Sequence, residues 1–143
     1  SAGTGITHSE FNASQEFDVK VLQIWLFPNK KNVTPRYDQQ AIRDLEVQNE
    51  FSQILSPNEA DQGVWIHQNA WFSVGAFSEQ KSTEYTLNAK NNGVYAFIIE
   101  GEATIEGQKL EKRDGFGIWD TASISITVEK DSRILLMEVP MTI

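Results

Sequence analysis

The chain has 143 residues, 40% of them hydrophobic and 22% charged, with four tryptophans and no cysteine. That composition supplies one domain with a packed core and excludes a disordered chain, a disulfide framework, a thiol nucleophile and a zinc–cysteine site. A formal net charge of −8 argues against nucleic acid or an anionic membrane surface as the main partner.

The first residues, "SAGTGITHSEFN", are small and flexible and then extended. His8 and Glu10 stand two residues apart, so an extended segment carries both on one face, where they can act as two ligands of a metal. Two ligands rarely suffice, and the alternative reading is a chance pair. "VKVLQIWLF" (19–27) is rich in β-branched and aromatic residues and stops at Pro28-Asn29, which reads as a strand. Its apolar run is far too short to cross a bilayer, and no basic-then-apolar leader precedes it. With cysteine absent as well, the expected location is the cytoplasm. Residues 28–50 are polar and turn-prone, an excursion over the surface. Within them "QQAIRDLEVQNE" is the only plausible helix. In "PRYDQ", Arg36 is placed to pair with a carboxylate.

Strand-like runs then follow at short, regular spacing: "FSQILS", "VWIHQ", "WFSVGAF", "TEYTL", "VYAFIIEG", "EATIEGQKL", "GFGIWD", "SISITVE" and "RILLMEVP". Gly, Asn, Asp or Pro separate them, which predicts a β-sandwich or barrel. Glu106-Gly107 predicts a two-residue hairpin turn. "SISITV" alternates strictly, with Ile124, Ile126 and Val128 on one face. The other histidine, His67, lies among Val64, Trp65 and Ile66 and reads as a packing residue or, alternatively, a third metal ligand. Glu100 and Glu102 flank Gly101 and read as a carboxylate pair or as solvent-facing strand ends. Trp65, Trp71, Phe72 and Trp119 read as core aromatics or as a sugar-stacking platform.

"SAGTGITHSEFN" followed by "LQIWLFPNKKNVTPRYDQ", and then "ILSPNEADQGVWIHQNAWF", "VYAFIIEGEATIEGQ", "RDGFGIWDTASISI" and "LLMEVP", resembles pirin and the pirin-like quercetin 2,3-dioxygenases over essentially the whole chain. These are bicupins, two β-barrels in one polypeptide. The resemblance implies an all-β, cupin-type double-stranded β-helix (a jelly-roll barrel) with little helix. It implies that residues 1–16 are a remnant of an N-terminal cupin and residues 17–143 the C-terminal cupin. In the family a His-x-His motif and a later His and Glu hold a divalent metal such as Fe, Cu or Ni. His8 and Glu10 match the last two of these ligands, and no histidine precedes them. "TLNAKNNGVYAF" and "FGIWDTASISI" lack the histidines of a metal-binding cupin. The second barrel is therefore expected to be metal-free, and this chain alone to carry no cofactor and to be inactive. A beginning just after a removed initiator methionine, or a cut there, is expected. Three functions stay open: a structural and assembly module, part of a flavonol dioxygenase completed by another chain, and a small-molecule binder. The expected partner is a second copy of the chain, in a homodimer, or an N-terminal cupin.

Overall fold

The structure is a computed structural model that describes residues 1–142. Ten strands form two facing sheets: β1 (Phe51–Ser56), β2 (Val64–Trp65), β3 (Trp71–Phe77), β4 (Lys81–Thr86), β5 (Asn92–Glu100), β6 (Glu102–Ile105), β7 (Gln108–Glu111), β8 (Gly115–Ile118), β9 (Ser123–Val128) and β10 (Ser132–Pro140). The larger sheet runs β2-β1-β3-β10-β5-β8 and the smaller β4-β9-β6-β7. All the pairings are antiparallel except β1 with β2. The all-β, jelly-roll expectation therefore stands. No helix among the described residues is long and apolar enough to cross a membrane.

The core follows from side-chain alternation. In β9, Ile124, Ile126 and Val128 are buried while Ser125 is exposed, as the strict pattern of "SISITV" requires. Across the sandwich they meet Val94, Ala96 and Ile98 of β5 and Ile134 and Leu136 of β10. Each fully buried Ile or Leu contributes about 1.5–3 kcal/mol. The barrel interior is thus filled by aliphatic side chains. Glu106 and Gly107, both at positive φ, join β6 to β7 with Ile105 opposite Gln108, which is the anticipated hairpin.

Two sequence expectations give way. Residues 19–27 form no strand among the described residues, and the ladders begin only at Phe51. The segment is apolar on both faces, a pattern that pays only when both sides are covered. Leu22, Ile24 and Leu26 line grooves against the larger sheet, while Trp25 is 86% and Phe27 81% exposed. The expected helix shrinks to one 3₁₀ turn, Ile42–Asp44, because Ala41 offers no side-chain cap and so short a run does not nucleate an α-helix.

Two glycines separate backbone strain from close approach. Gly101 (φ +77) breaks between β5 and β6, and an added Cβ would lie 2.1 Å from Ser132 Oγ and 2.7 Å from Ser132 Cα. That hydroxyl accepts from the Glu102 N–H at 2.9 Å and donates to the Glu102 carbonyl at 3.0 Å. Gly107 (φ +80) has open space around its Cβ position. We expect Gly107→Ala to cost about 1 kcal/mol, the left-handed strain alone. Gly101→Ala is expected to cost about 3 kcal/mol or more, because the Ser132 bridge must also move. Urea unfolding midpoints of the two variants check this, and equal losses would contradict it.

Candidate functional site

The structure brings His8 and Glu10 together, with His8 Nε2 3.6 Å from Glu10 Oε1. Two donors of one tetrahedral first-row cation sit about 3.4 Å apart for bonds of ~2.1 Å, so the geometry suits two cis ligands. Their side chains are 63% and 66% exposed. Among the described residues no three His, Cys, Asp or Glu side chains come together to hold a metal. His67 does not join them.

His67 belongs to a different construction. Its ring meets Trp65 edge-on, centroids 4.9 Å apart. Over the same indole lies the Arg36 guanidinium, 4.1 Å from the ring centroid. Arg36 Nη1 donates to the Trp65 carbonyl at 2.5 Å, and Nη2 to Asp38 Oδ2 at 2.9 Å, the carboxylate pairing that "PRYDQ" suggests. A guanidinium stacked and bonded at once is well fixed. It anchors the excursion: the Arg36 N–H donates to Ser1 O at 3.0 Å, the Ser1 amine donates to Arg36 O at 2.9 Å, and the Thr4 N–H donates to Val33 O at 3.1 Å. The Asn29 N–H donates to His67 O at 2.7 Å and the Gln68 side chain to Phe27 O at 2.7 Å, which tie the end of the 19–27 strap to the β2–β3 loop. His67 is thus a packing residue in this structure.

Glu100 and Glu102 are no acid–base pair. Glu100 lies 2.6 Å from Lys112 and 3.8 Å from Lys20, and Glu102 lies 2.8 Å from Lys109. The Lys112 hydrogen bond, with its charge, holds the Glu100 carboxyl below the usual range. The four large aromatics form no single platform: Trp65 carries Arg36, Trp71 lines clefts that Phe72 does not, Phe72 is buried and lines the grooves beneath the strap, and Trp119 is largely exposed.

A polar cluster that the sequence reading missed sits inside. Glu138, fully buried on β10, accepts from Tyr85 Oη at 2.9 Å, Asn88 N–H at 2.9 Å, Asn88 Nδ2 at 2.8 Å, Ala89 N–H at 3.0 Å and Asn92 Nδ2 at 2.8 Å. Every partner is a donor, so both oxygens are satisfied without a cation. Asn92 Nδ2 also reaches the Asn69 carbonyl at 3.3 Å. One carboxyl therefore joins β10, β4, the β4–β5 loop, the start of β5 and the β2–β3 loop. The signal was present: in "RILLMEVP" a period of two puts Glu138 on the core face with Ile134 and Leu136. Burial, and next the charge of Glu138, push the Tyr85 phenol above its ordinary value of 10.0.

Glu138→Gln turns an acceptor into an amide donor facing other donors, and is expected to cost about 3 kcal/mol in urea unfolding. Tyr85 carries a pH signature. Its folded pKa is raised, so its contribution is complete below about 10, and as pH climbs further the unfolded chain loses a proton that the folded chain keeps. Stability is expected to fall steadily as pH rises above about 10. Tyr85→Phe, less stable at neutral pH by about 1 kcal/mol, is expected to flatten that fall. An unchanged alkaline slope in the variant would remove Tyr85 from this role.

Residues 53–139 match the family described as the quercetinase C-terminal cupin domain. The quercetin 2,3-dioxygenase of Escherichia coli K12 is 34% identical over 140 residues, which cover 98% of this chain and 59% of that protein. The crystal structure of YhhW from Escherichia coli matches with a TM-score of 0.73 at 29% identity, covering 82% of this chain and 49% of that one. The bacterial pirin YhhW in complex with nickel(II) matches with a TM-score of 0.71 at 29% identity, covering 80% and 48%. The chain thus spans less than two thirds of the length of these relatives.

Proposed function

The chain belongs to the pirin-like family of quercetinase C-terminal cupin domains, and from that premise we propose that it acts as a non-catalytic cupin that supports a second barrel and lends His8 and Glu10 to its metal site. The observation that carries the reading is the pairing of two exposed ligands, 3.6 Å apart, with a strap whose outer row has no cover. Val19, Val21, Trp25 and Phe27 alternate with Leu22, Ile24 and Leu26, so the segment reads as a strand buried on both sides in its working assembly. Ser1, Ala2 and Gly3, at the start of the segment that carries His8 and Glu10, line a groove with Leu22, Ile24 and Leu26 of the strap, and in this reading a β-domain laid on the outer row supplies the remaining ligands.

Histidine and carboxylate donors suit Fe, Cu, Ni and similar divalent ions. A metal held with His8 and Glu10 among its ligands would supply Lewis-acid and dioxygen chemistry of the kind a flavonol dioxygenase uses. In this reading His8 and Glu10 hold two positions, their extended segment orients them, and the covering domain excludes water. The nickel complex of YhhW favours such a completed site as the second reading for the assembled protein. For the chain by itself the outer row is proposed to pair with a second copy, giving a homodimer.

Mass-spectrometric metal analysis, with light scattering on the same sample, is the direct test. Purified without chelator or histidine tag, the chain is expected to carry well under one metal per polypeptide, to turn over no quercetin and to run as a dimer at high concentration. Metal-dependent quercetin turnover by the 143-residue chain would overturn the non-catalytic reading. A monomer at high concentration would overturn the pairing of the strap. Trp25→Lys is expected to shift the equilibrium toward monomer without lowering the urea midpoint by more than about 0.5 kcal/mol equivalent, since Trp25 is exposed.

A further inference from the structure

The strap and the outer face of the larger sheet enclose a groove of about 690 Å³, within the range of small-molecule sites, roughly 300–1,000 Å³. Its floor is Phe72, Val74 and Leu135, all buried, yet none belongs to the core cluster between the sheets. Leu22 and Ile24 of the strap form the facing wall. The lining is thus mostly aliphatic and aromatic.

The polar part of the lining is cationic. Lys20, Arg113 and Arg133 line the groove together with one carboxylate, Glu100. Glu100 is already held by Lys112 and Lys20, and Arg133 donates to Glu46 at 2.5 Å. Arg113 forms no ion pair among the described residues and stays exposed. The Arg113 charge acts on Glu100 only at longer range, and in a chain of net charge −8 three cations against one carboxylate on one apolar groove are a local reversal of sign. Self-repulsion in an acidic protein does not call for it, but an anionic headgroup does.

We propose that this groove binds an amphipathic monoanion, an apolar body with a single carboxylate that Arg113 receives as a charge-assisted pair. The apolar body lies along Phe72, Val74 and Leu135 under the strap, and the carboxylate lies at the Arg113 end. The site lies outside the barrel interior and away from His8 and Glu10, neither of which lines it.

Isothermal titration of the full chain with decanoate tests the proposal, with decanol and decyltrimethylammonium as chain-matched controls. Arg113 has φ +76, a conformation that Asn adopts readily, so Arg113→Asn removes the charge without straining the turn. Expected is saturable binding of one decanoate per chain. It should weaken about tenfold in Arg113→Asn and recover in part in Arg113→Lys. Decanol should bind both proteins alike, and the ammonium should bind more weakly than decanoate. The proposal fails if decanoate shows no saturable binding up to about millimolar concentration, if Arg113→Asn binds it as tightly as the parent, or if the ammonium binds equally well.

Discussion

A carboxyl group with no counterion among the described residues, shut inside a sandwich of aliphatic side chains, sets the terms for the rest of this molecule. Glu138 is costly to bury alone, and the structure meets that cost with donors drawn from two strands and the loop between them. Tyr85 comes from the smaller sheet and Glu138 from the larger, so the hydrogen bond between them registers one sheet on the other. Aliphatic packing alone tolerates small slips between sheets, whereas a buried carboxyl that must find five donors does not. The Asn-rich β4–β5 connection is therefore more than a turn. Its amide and backbone N–H groups are aimed inward.

The same economy fills the barrel interior. Ile98, Ile105, Ile124, Ile126, Ile134 and Leu136 fill the space between the sheets, and the buried polar group among them is saturated. The unfinished parts of the molecule lie outside the sandwich, on the far face of the larger sheet. The 19–27 strap covers that face with one row of side chains and turns an equally apolar row to solvent.

Arg36 shows how a polar excursion is held without secondary structure. Stacked on Trp65, bonded to its carbonyl and paired with Asp38, it fixes residues 33–36, to which Ser1 and Thr4 then attach. His67 takes its place in that stack. A histidine between tryptophan and backbone contacts has a packing reason to exist.

Local pattern determined much of this protein. The strand segments from Phe51 onward and their turns, the Glu106-Gly107 hairpin, the inward row of β9 and the Arg36 carboxylate pairing all follow from periods of two and from turn chemistry, which neighbours in sequence suffice to set. Tertiary structure decided the rest. "VKVLQIWLF" has every local property of a strand, but a strand exists only with a partner edge, and none of the described strands offers one. "QQAIRDLEVQNE" had weak helical character, and with no cap and no packed face it remained a single turn. Whether His67 joined His8 and Glu10, and whether Glu100 and Glu102 acted together, depended on which cations and rings long-range folding brought beside them. Glu138 was visible as a charge on a core-facing position, but its donors come from residues about fifty positions away in sequence. Only the closing of one sheet over the other could say whether that charge would be stranded or satisfied.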